Sequence, residues 1–284
     1  MKIHVYLILF FIRIRITKSI LNGVAVAEKE YPFFVCIELD SAVVCGGTII
    51  TPSVVVTGAH CVIQMDKEKT FIPVEINRLM VLAGTVTLDQ SDQGYQESQV
   101  DNLIIHEKFN PLHGMLNNIA ILDLTYDLLL DDWVNVAREP TELKNDWKQL
   151  VKNGTECTVM GFGYISVNKD LPTTLMKSLI SISCPKDFII SGYTCAVMTS
   201  PKSGLCLGDL GSPVVCLGYV YGFISHSYLC QQEVLPVYIL LFENYLDFLP
   251  ISTDTASKIS GAVVFTFFLI QLSEKTSSLF YSIF

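Results

Sequence analysis

Two short segments of the chain contain the side chains that could catalyse a reaction. Residues 57–61 read Thr-Gly-Ala-His-Cys and contain His60, and residues 208–213 read Gly-Asp-Leu-Gly-Ser-Pro and contain Asp209 and Ser212. A histidine that takes the proton of a serine hydroxyl, and is oriented by a carboxylate, turns that hydroxyl into a nucleophile for acyl transfer. Such a reaction needs all three groups in place, so the positions that they occupy decide whether it can run.

The cysteines favour disulfide bonds over metal binding. None of the nine forms a Cys-x-x-Cys pair, and His/Cys clusters with zinc spacing are absent. Scattered cysteines in a non-cytosolic chain are typical of disulfides, and an odd number leaves one thiol over. We therefore expect neither a metal nor a cofactor.

The bulk composition excludes one class of partner. The 284 residues suffice for one large domain or two small ones, with 19 Lys or Arg against 28 Asp or Glu and a net charge of −9. No block of basic residues is long enough to follow a phosphate backbone, which argues against nucleic acid.

The first residues indicate a secreted protein. Residues 5–12 form an unbroken apolar run after Met1-Lys2, which is too short to span a bilayer but long enough for the core of a signal peptide. Arg13 and Arg15 argue against the alternative, a hydrophobic first strand, although they are also unusual in a signal peptide.

Most of the chain has the pattern of short strands. Runs rich in β-branched and aromatic residues are punctuated by Gly, Pro, Asn and Asp, and they cover residues 33–39, 42–51, 53–57, 79–84, 100–105, 119–125, 158–162, 178–182, 213–217 and 219–225. This pattern predicts an all-β barrel or sandwich. It lapses over residues 126–153, as in an inter-domain connection, and residues 242–249 have helical spacing.

Several motifs, in order, resemble the chymotrypsin–trypsin family of serine proteases. They are Ile-Leu-Asn-Gly at 20–23, Tyr-Pro-Phe at 31–33, Cys-Gly-Gly-Thr-Ile-Ile at 45–50, the histidine segment at 57–61, Asn-Asn-Ile-Ala-Ile-Leu at 117–122, the stretch from Cys157 through Gly-Phe-Gly at 161–163, Cys-Leu-Gly-Asp-Leu-Gly-Ser-Pro at 206–213, then Ser225 and Cys230. The match spans residues 20–249, and the combined order and spacing are far more specific than any one motif.

The resemblance implies two six-stranded antiparallel β-barrels with a cleft between them. The expected divisions are a signal peptide or pro-segment at 1–19, an N-terminal barrel at 20–130, a C-terminal barrel at 131–250 that ends in a short helix, and a tail at 251–284. The implied disulfides are Cys45–Cys61, Cys157–Cys216, Cys184–Cys195 and Cys206–Cys230. Cys36 is left over as a buried free thiol, with an intermolecular disulfide as the alternative.

The resemblance also implies where the catalytic groups should be, and two of the three are missing. His60 is at the histidine position, but Asn118 is at the aspartate position and Leu210 at the serine position. Leucine cannot form an acyl-enzyme, and an amide cannot stabilise an imidazolium. Ser212 is two residues too far along to replace the nucleophile. The oxyanion-hole donors, the backbone N–H groups of Gly208 and Leu210, need no particular side chain.

The implied specificity pocket departs from the family pattern as well. Gly204 at its floor brings no carboxylate to attract Lys or Arg, and Ser225 begins the wall. His226 and Ser227 occupy positions where Trp and Gly are usual, and Pro236 replaces another glycine. We expect Ser227 and Pro236 to narrow the pocket.

One ion pair of the family is retained in outline. Asp209 matches the aspartate that receives a freed N-terminal amine, and Ile20 would supply the amine after a cut behind Ser19. Lys18 is one residue too early for a trypsin-type activator, whereas Thr17 and Ser19 are small residues at the positions that signal peptidase reads. We expect removal of the signal peptide to expose Ile20.

Three functions remain in competition. The leading interpretation is a secreted, catalytically inactive serine protease homologue that binds a protein or peptide, such as an active protease or its substrate. The alternative is an active serine endopeptidase. A third, a membrane-tethered receptor-like protein, rests on the apolar run at residues 261–272, whose outline resembles a GPI signal interrupted by Glu274 and Lys275. An Asn-Gly-Thr acceptor for N-glycosylation begins at Asn153.

Overall fold

The computed structural model describes residue 20 and residues 23–138, 147–164, 172–189, 193–200, 203–227 and 236–250. The signal segment expected at 1–19, the tail expected at 251–284 and Cys230 lie outside these described residues. Among the described residues, no helix is long and apolar enough to cross a membrane.

Fifteen strands and one short α-helix are described. The strands, in chain order, are β1 (Val24–Ala25), β2 (Phe34–Leu39), β3 (Ala42–Thr51), β4 (Val54–Thr57), β5 (Ile63–Met65), β6 (Phe71–Pro73), β7 (Leu79–Ala83), β8 (Gln96–Ile105), β9 (Ala120–Leu124), β10 (Glu156–Gly161), β11 (Met176–Ser181), β12 (Thr194–Met198), β13 (Pro213–Cys216), β14 (Tyr219–Ser227) and β15 (Val237–Leu241). The helix, α1, is Trp147–Lys152. Short 3₁₀ turns lie at Ala59–Val62, Ile76–Arg78, Lys186–Phe188 and Phe242–Asn244.

The first barrel is a closed antiparallel ring of six strands in the order β2-β3-β4-β9-β8-β7. Its strands are rich in β-branched residues, which suit a pleated, half-buried surface. Inward-facing residues such as Val35, Ile37, Ile49 and Leu122 are wholly buried. Closure leaves no unpaired inner edge, so the ends of these strands are held in fixed positions.

The second barrel closes in the same way. The strands β11-β10-β13-β14-β15-β12 are hydrogen-bonded in that order, and the pairing of β11 with β12 completes the ring, while β1 adds to the outside of β11. The predicted fold of two six-stranded barrels is therefore confirmed. The helical spacing over residues 242–249 corresponds to a single 3₁₀ turn, Phe242–Asn244. The helix α1 lies within residues 126–153, where a connection between the barrels was expected.

Three of the four implied disulfides are confirmed, and they are Cys45–Cys61, Cys157–Cys216 and Cys184–Cys195. Cys206 is also disulfide-bonded, and its pairing with Cys230 stays a prediction because Cys230 is outside the described residues. Cys36 is a free, buried thiol in β2, and burial raises its pKa. The first disulfide ties β3 to the 3₁₀ turn that carries His60.

Candidate active site

His60 is presented by a 3₁₀ turn that follows β4 directly. Its ring packs over Gly58, where a Cβ atom would lie 2.7 Å from ring atoms, so only glycine leaves room for the imidazole. The ring Nε2 is 3.5 Å from Sγ of Cys61 and 3.7 Å from Sγ of Cys45. Both sulfurs are in a disulfide, so this compact His/Cys group offers no thiolate for a metal ion.

Asn118 is wholly buried beneath His60, just before β9 begins. Its Oδ1 accepts the backbone N–H of His60 at 2.9 Å, and its Nδ2 donates to the carbonyl and the Oγ of Ser225 at 3.0 and 2.9 Å. The reverse orientation of the amide would set oxygen against oxygen at Ser225. These partners therefore fix which end of the amide faces which barrel.

The amide of Asn118 also contacts the imidazole ring. Nδ1 of His60 is 2.9 Å from Nδ2 of Asn118 and 3.1 Å from its Oδ1. Whichever atom is the partner, a neutral amide cannot stabilise an imidazolium as a carboxylate does. Burial lowers the pKa of His60 to about 4, against a smaller opposing contribution from the Asn118 hydrogen bond.

Leu210 and Ser212 lie in the loop that precedes β13, and neither presents an exposed hydroxyl. The side chain of Leu210 is 7% exposed and belongs to the apolar core, while its carbonyl accepts the N–H of Gly46 at 2.8 Å. Ser212 is wholly buried, and a Cβ atom at Gly46 would lie only 2.0 Å from its Oγ. The Ser212 hydroxyl therefore fills the space left by Gly46, where no substrate carbonyl can reach it.

The backbone of the same loop keeps two free donors. Among the described residues, the N–H groups of Gly208 and Leu210 donate to no acceptor. Gly208 has a φ of +98°, in the region that glycine tolerates, and a Cβ atom there would lie 2.9 Å from Cα of Gly163. The loop thus retains the pair of N–H groups that an oxyanion would need.

Asp209 points the opposite way, into the interior. Its carboxylate accepts the N–H of Gly163 and the N–H of Cys206, both at 2.8 Å, and it is wholly buried. Within the described part of the chain, no Lys, Arg or His makes a salt bridge with it. Burial raises its pKa to about 7, since two backbone hydrogen bonds compensate only partly for the lost water.

Ile20 is equally buried, and its φ of +41° is strained for a β-branched residue. A cut before Ile20 would create an amine at this buried position, and Asp209 has no cationic partner among the described residues.

Aromatic side chains cover the wall of the expected specificity pocket. His226 stacks on Tyr238 with centroids 4.3 Å apart and meets Tyr193 edge-on at 4.9 Å. The hydroxyl of Tyr193 donates to the carbonyl of Met115, which belongs to the other barrel, and lies 3.4 Å from Oγ of Ser225. Tyr193 therefore bridges the two barrels across the cleft.

The other predicted pocket residues are buried or half-buried. Gly204 and Pro236 are buried and Ser227 is half-buried at the end of β14, where it pairs with Val237. Burial, and then the neighbouring His60, lower the pKa of His226 to about 4. Its Nδ1 has no partner among the described residues.

The trypsin family profile matches residues 20–249. The chain belongs to the trypsin family. Among curated relatives, mouse (Mus musculus) ovochymase-2 is 29% identical over 210 residues, which are 69% of this chain and 32% of that protein. The chain thus spans about a third of ovochymase-2. Chymotrypsin-2 of the hornet Vespa crabro is 24% identical over 235 residues, which are 81% of this chain and 98% of that enzyme.

Solved structures of the trypsin family share the fold. Mouse neuropsin superposes with a TM-score of 0.65 at 23% identity, covering 81% of this chain and 97% of neuropsin. Human heparin binding protein superposes with a TM-score of 0.66 at 23% identity, covering 81% of this chain and 96% of that one.

Some residues that shape this trypsin-family site were not singled out from the sequence. A Cβ atom at Gly161 or Gly163 would lie 2.2 or 2.4 Å from the Asp209 carboxylate, so both glycines are required for its burial. The Gly-Phe-Gly motif contained that signal. No sequence signal marked Tyr193 or Tyr238, because these residues reach His226 only when the barrel closes.

The buried hydroxyl of Ser212 should cost stability, because its Oγ has no hydrogen-bond partner among the described residues. We expect Ser212→Ala to raise the free energy of unfolding by about 1 kcal/mol, measured by urea denaturation. Ser203→Ala is the matched control: Ser203 is also buried, but its Oγ donates to the carbonyl of Ser200 at 2.5 Å, so this change should destabilise. A loss of stability in Ser212→Ala would show that its hydroxyl is satisfied.

Proposed function

We propose that this member of the trypsin family is a secreted, catalytically inactive homologue that serves as a binding or regulatory module. The observation that carries the proposal is Leu210 at the position of the nucleophile, with the nearby Ser212 hydroxyl buried against Gly46. Without an oxygen nucleophile beside His60, no acyl-enzyme forms.

The state of His60 and Asn118 supports the same conclusion independently. A histidine whose pKa is lowered to about 4 is neutral at physiological pH and a weak base. The amide of Asn118 contacts its Nδ1 and has no charge to stabilise an imidazolium. Restoring one group alone would leave the other defect in place, so the two losses reinforce each other.

The loop around Asp209 is preserved, and this argues for a function that uses the shape of the cleft. The donors of Gly208 and Leu210 are unengaged within the described chain, and Asp209 is cradled by two glycines that its burial requires. Loops on a rigid scaffold are the usual place for binding residues. The inactive cleft therefore remains an ordered surface that a partner can recognise.

The charge of the chain favours a polypeptide partner. One structural neighbour is named for binding heparin, a polyanion. Here residues 20–138 contain six Lys or Arg against sixteen Asp or Glu, and the rest of the chain contains thirteen against twelve. Such an acidic barrel repels polyanions, so we propose a protein or peptide partner, such as an active protease or its substrate.

Secretion is the setting that these features suit. Structural disulfides persist in oxidising compartments, and three have both cysteines among the described residues. Asn153 is exposed in the turn after α1, accessible to glycosylation, with Gly154 at a φ of +63°. We propose that Asn153 carries a glycan in the secreted protein.

Peptide hydrolysis tests the proposed inactivity. The purified protein, incubated with peptide libraries that present every residue at the cleavage site, should release no product above a heat-denatured sample. An active trypsin-family enzyme in parallel confirms that the library is cleavable. Turnover that rises with the concentration of this protein and survives further purification would support the endopeptidase alternative.

A further inference from the structure

A rigid segment beneath the first barrel displays apolar side chains to solvent. Residues 126–131, which we term the ledge, follow β9 and run beside the start of β8. Ser98 Oγ bonds both the N–H and the carbonyl of Tyr126 at 3.2 Å. The side-chain amide of Gln96 bonds both backbone groups of Leu129, at 2.8 and 2.9 Å. Leu128 is buried and anchors the segment from below.

The ledge is exposed despite being firmly held. The side chains of Tyr126 and Leu129 are 74% and 76% exposed, and that of Leu130 is 43% exposed. Scattered single apolar residues on a surface are ordinary, but these three lie close together in sequence on one hydrogen-bonded segment. Because the backbone is already ordered, a partner that docks there loses little conformational entropy on the ledge side.

Acidic residues lie on the ledge and directly next to its supports. Asp127 and Asp131 lie on the ledge itself and Asp132 follows it, while Glu97 is next to Gln96 on β8. Lys29 pairs with Asp132 at 3.7 Å, but no salt bridge within the described residues engages Asp127, Asp131 or Glu97.

Glu38 adds a further carboxylate near Glu97. Burial, and then the neighbouring Glu97, raise the pKa of Glu38 on β2. No salt bridge in the described chain neutralises Glu38 either.

We propose that the ledge is a docking surface for a basic polypeptide segment in which lysine or arginine alternates with apolar side chains. The apolar residues of that segment would cover Leu129 and Tyr126, and its cations would face Asp127 and Asp131. A second copy of this chain is a poor occupant, because its first barrel would add ten further net negative charges. The surface is separate from the cleft, so the proposal holds whether or not the cleft is inactive.

Binding of defined peptides to the full chain tests the ledge. A fluorescein-labelled peptide of alternating lysine and leucine should bind, by fluorescence anisotropy, about ten-fold more tightly than a lysine–serine peptide, because only the first buries apolar area. A glutamate–leucine peptide should not bind. Affinity for both lysine peptides should fall as salt is added.

Matched variants locate the binding surface. Leu129→Ser should weaken the lysine–leucine peptide about ten-fold and leave the lysine–serine peptide unchanged. Asp127→Lys should weaken both peptides and flatten their salt dependence. Leu217→Ser and Glu156→Lys are the controls, since Leu217 is 63% exposed and Glu156 is exposed, both on the second barrel. Neither control should alter binding.

Three outcomes would overturn the proposal. Equal affinity for the lysine–leucine and lysine–serine peptides would reduce the surface to non-specific charge. Equal losses of peptide affinity in Leu129→Ser and Leu217→Ser would show that the ledge is not the binding surface. Self-association of the wild-type chain, abolished by Leu129→Ser in light scattering, would make the ledge a contact between copies instead.

Discussion

The double variant Leu210→Ser, Asn118→Asp should react with a fluorophosphonate that leaves the wild-type chain unmodified. The new serine would follow the free N–H of Gly208 in the loop, and its own N–H would complete the oxyanion hole. The new aspartate would accept the N–H of His60 and select the tautomer with a proton on Nδ1. His60 then gains a carboxylate partner, which raises its pKa toward the range of a working base.

The single variants show how much each group contributes. In a related protease, asparagine in place of the triad aspartate slows catalysis by about 10⁴. Leu210→Ser alone should therefore label about 10⁴ more slowly than the double variant. Asn118→Asp alone should not label at all, because it lacks a nucleophile. Labelling is followed by intact mass, and the modified residue by peptide mapping.

Folding must be checked in parallel, because both changes disturb packed sites. Leu210 is buried, so Leu210→Ser should cost a few kcal/mol, and Leu210→Ala is the control for that loss. The carboxylate introduced by Asn118→Asp would face the Ser225 carbonyl that Nδ2 of Asn118 now bonds, so this carboxylate depends on donation from the Ser225 hydroxyl. A folded double variant that stays inert would show that the loop geometry is defective too.

Peptide turnover should recover less than labelling. A small fluorophosphonate needs only the reacting centre, whereas a peptide must also enter the specificity pocket, which the family resemblance implies is narrowed by Ser227 and Pro236. Adding Ser227→Gly and Pro236→Gly to the double variant should raise peptide turnover more than the labelling rate. Equal gains in both measurements would show that the pocket was not the obstacle.

Freeing the amine of Ile20 should stabilise the protein by about 3–5 kcal/mol at neutral to mildly basic pH, the range reported for a buried charge that gains or loses its partner. Asp209 is wholly buried and has no cationic partner among the described residues. Ile20 is wholly buried as well. A chain fused to a removable leader that leaves Ile20 as the first residue can be compared, before and after cleavage, by thermal and urea unfolding.

The pH dependence of the uncut chain's stability tests independently whether the charged Asp209 carboxylate destabilises the folded state. Burial raises the pKa of Asp209 to about 7 from an ordinary 3.8, so the folded state holds a proton that the unfolded state has lost. The stability that this proton provides is fully present below about pH 4 and decreases as pH rises to about 7. The free energy of unfolding falls by about 4 kcal/mol over this range. Above that pH the carboxylate is charged and unpaired.

Cleavage should remove this loss, because the amine at Ile20 stabilises the charged carboxylate until the amine itself deprotonates. The carboxylate raises the pKa of that amine above its ordinary value of about 8. His60 and His226 titrate in the opposite sense: with each pKa lowered to about 4, they add stability as pH rises toward 6.5. Their contribution is common to both forms and cancels in the difference. Asp209→Asn should show no effect of cleavage on the pH profile, whereas a persistent effect would exclude Asp209 as the partner.

The barrels were predictable because their strands are short β-branched runs between turn residues. Strands such as β3 and β13 begin where the pattern places them. Strand β15 was missed because its continuous apolar run joins the helical spacing that follows, and periodicity does not separate a buried strand from a helix. The hairpin of β5 and β6 is too short and too exposed to leave a pattern.

The candidate site was predictable only where a motif stands at a fixed distance from another. His60, Asn118 and Leu210 could be placed in this way. The aromatic contacts of His226 could not be predicted in this way. Tyr238 reaches His226 through the pairing of β14 with β15, and Tyr238 also pairs with Cys195 on β12. Contacts that arise from closing a barrel join residues far apart in sequence, and no local spacing encodes them.

Fluorophosphonate labelling of the wild-type protein, cut at Ile20 and read by intact mass beside an active trypsin-family enzyme, tests the loss of catalysis most directly. The structure predicts no adduct on the folded chain, because the only hydroxyl in the segment from Gly208 to Pro213, that of Ser212, is buried against Gly46. Stoichiometric modification of Ser212, abolished by Ser212→Ala and by His60→Ala, would contradict it and establish an active serine protease.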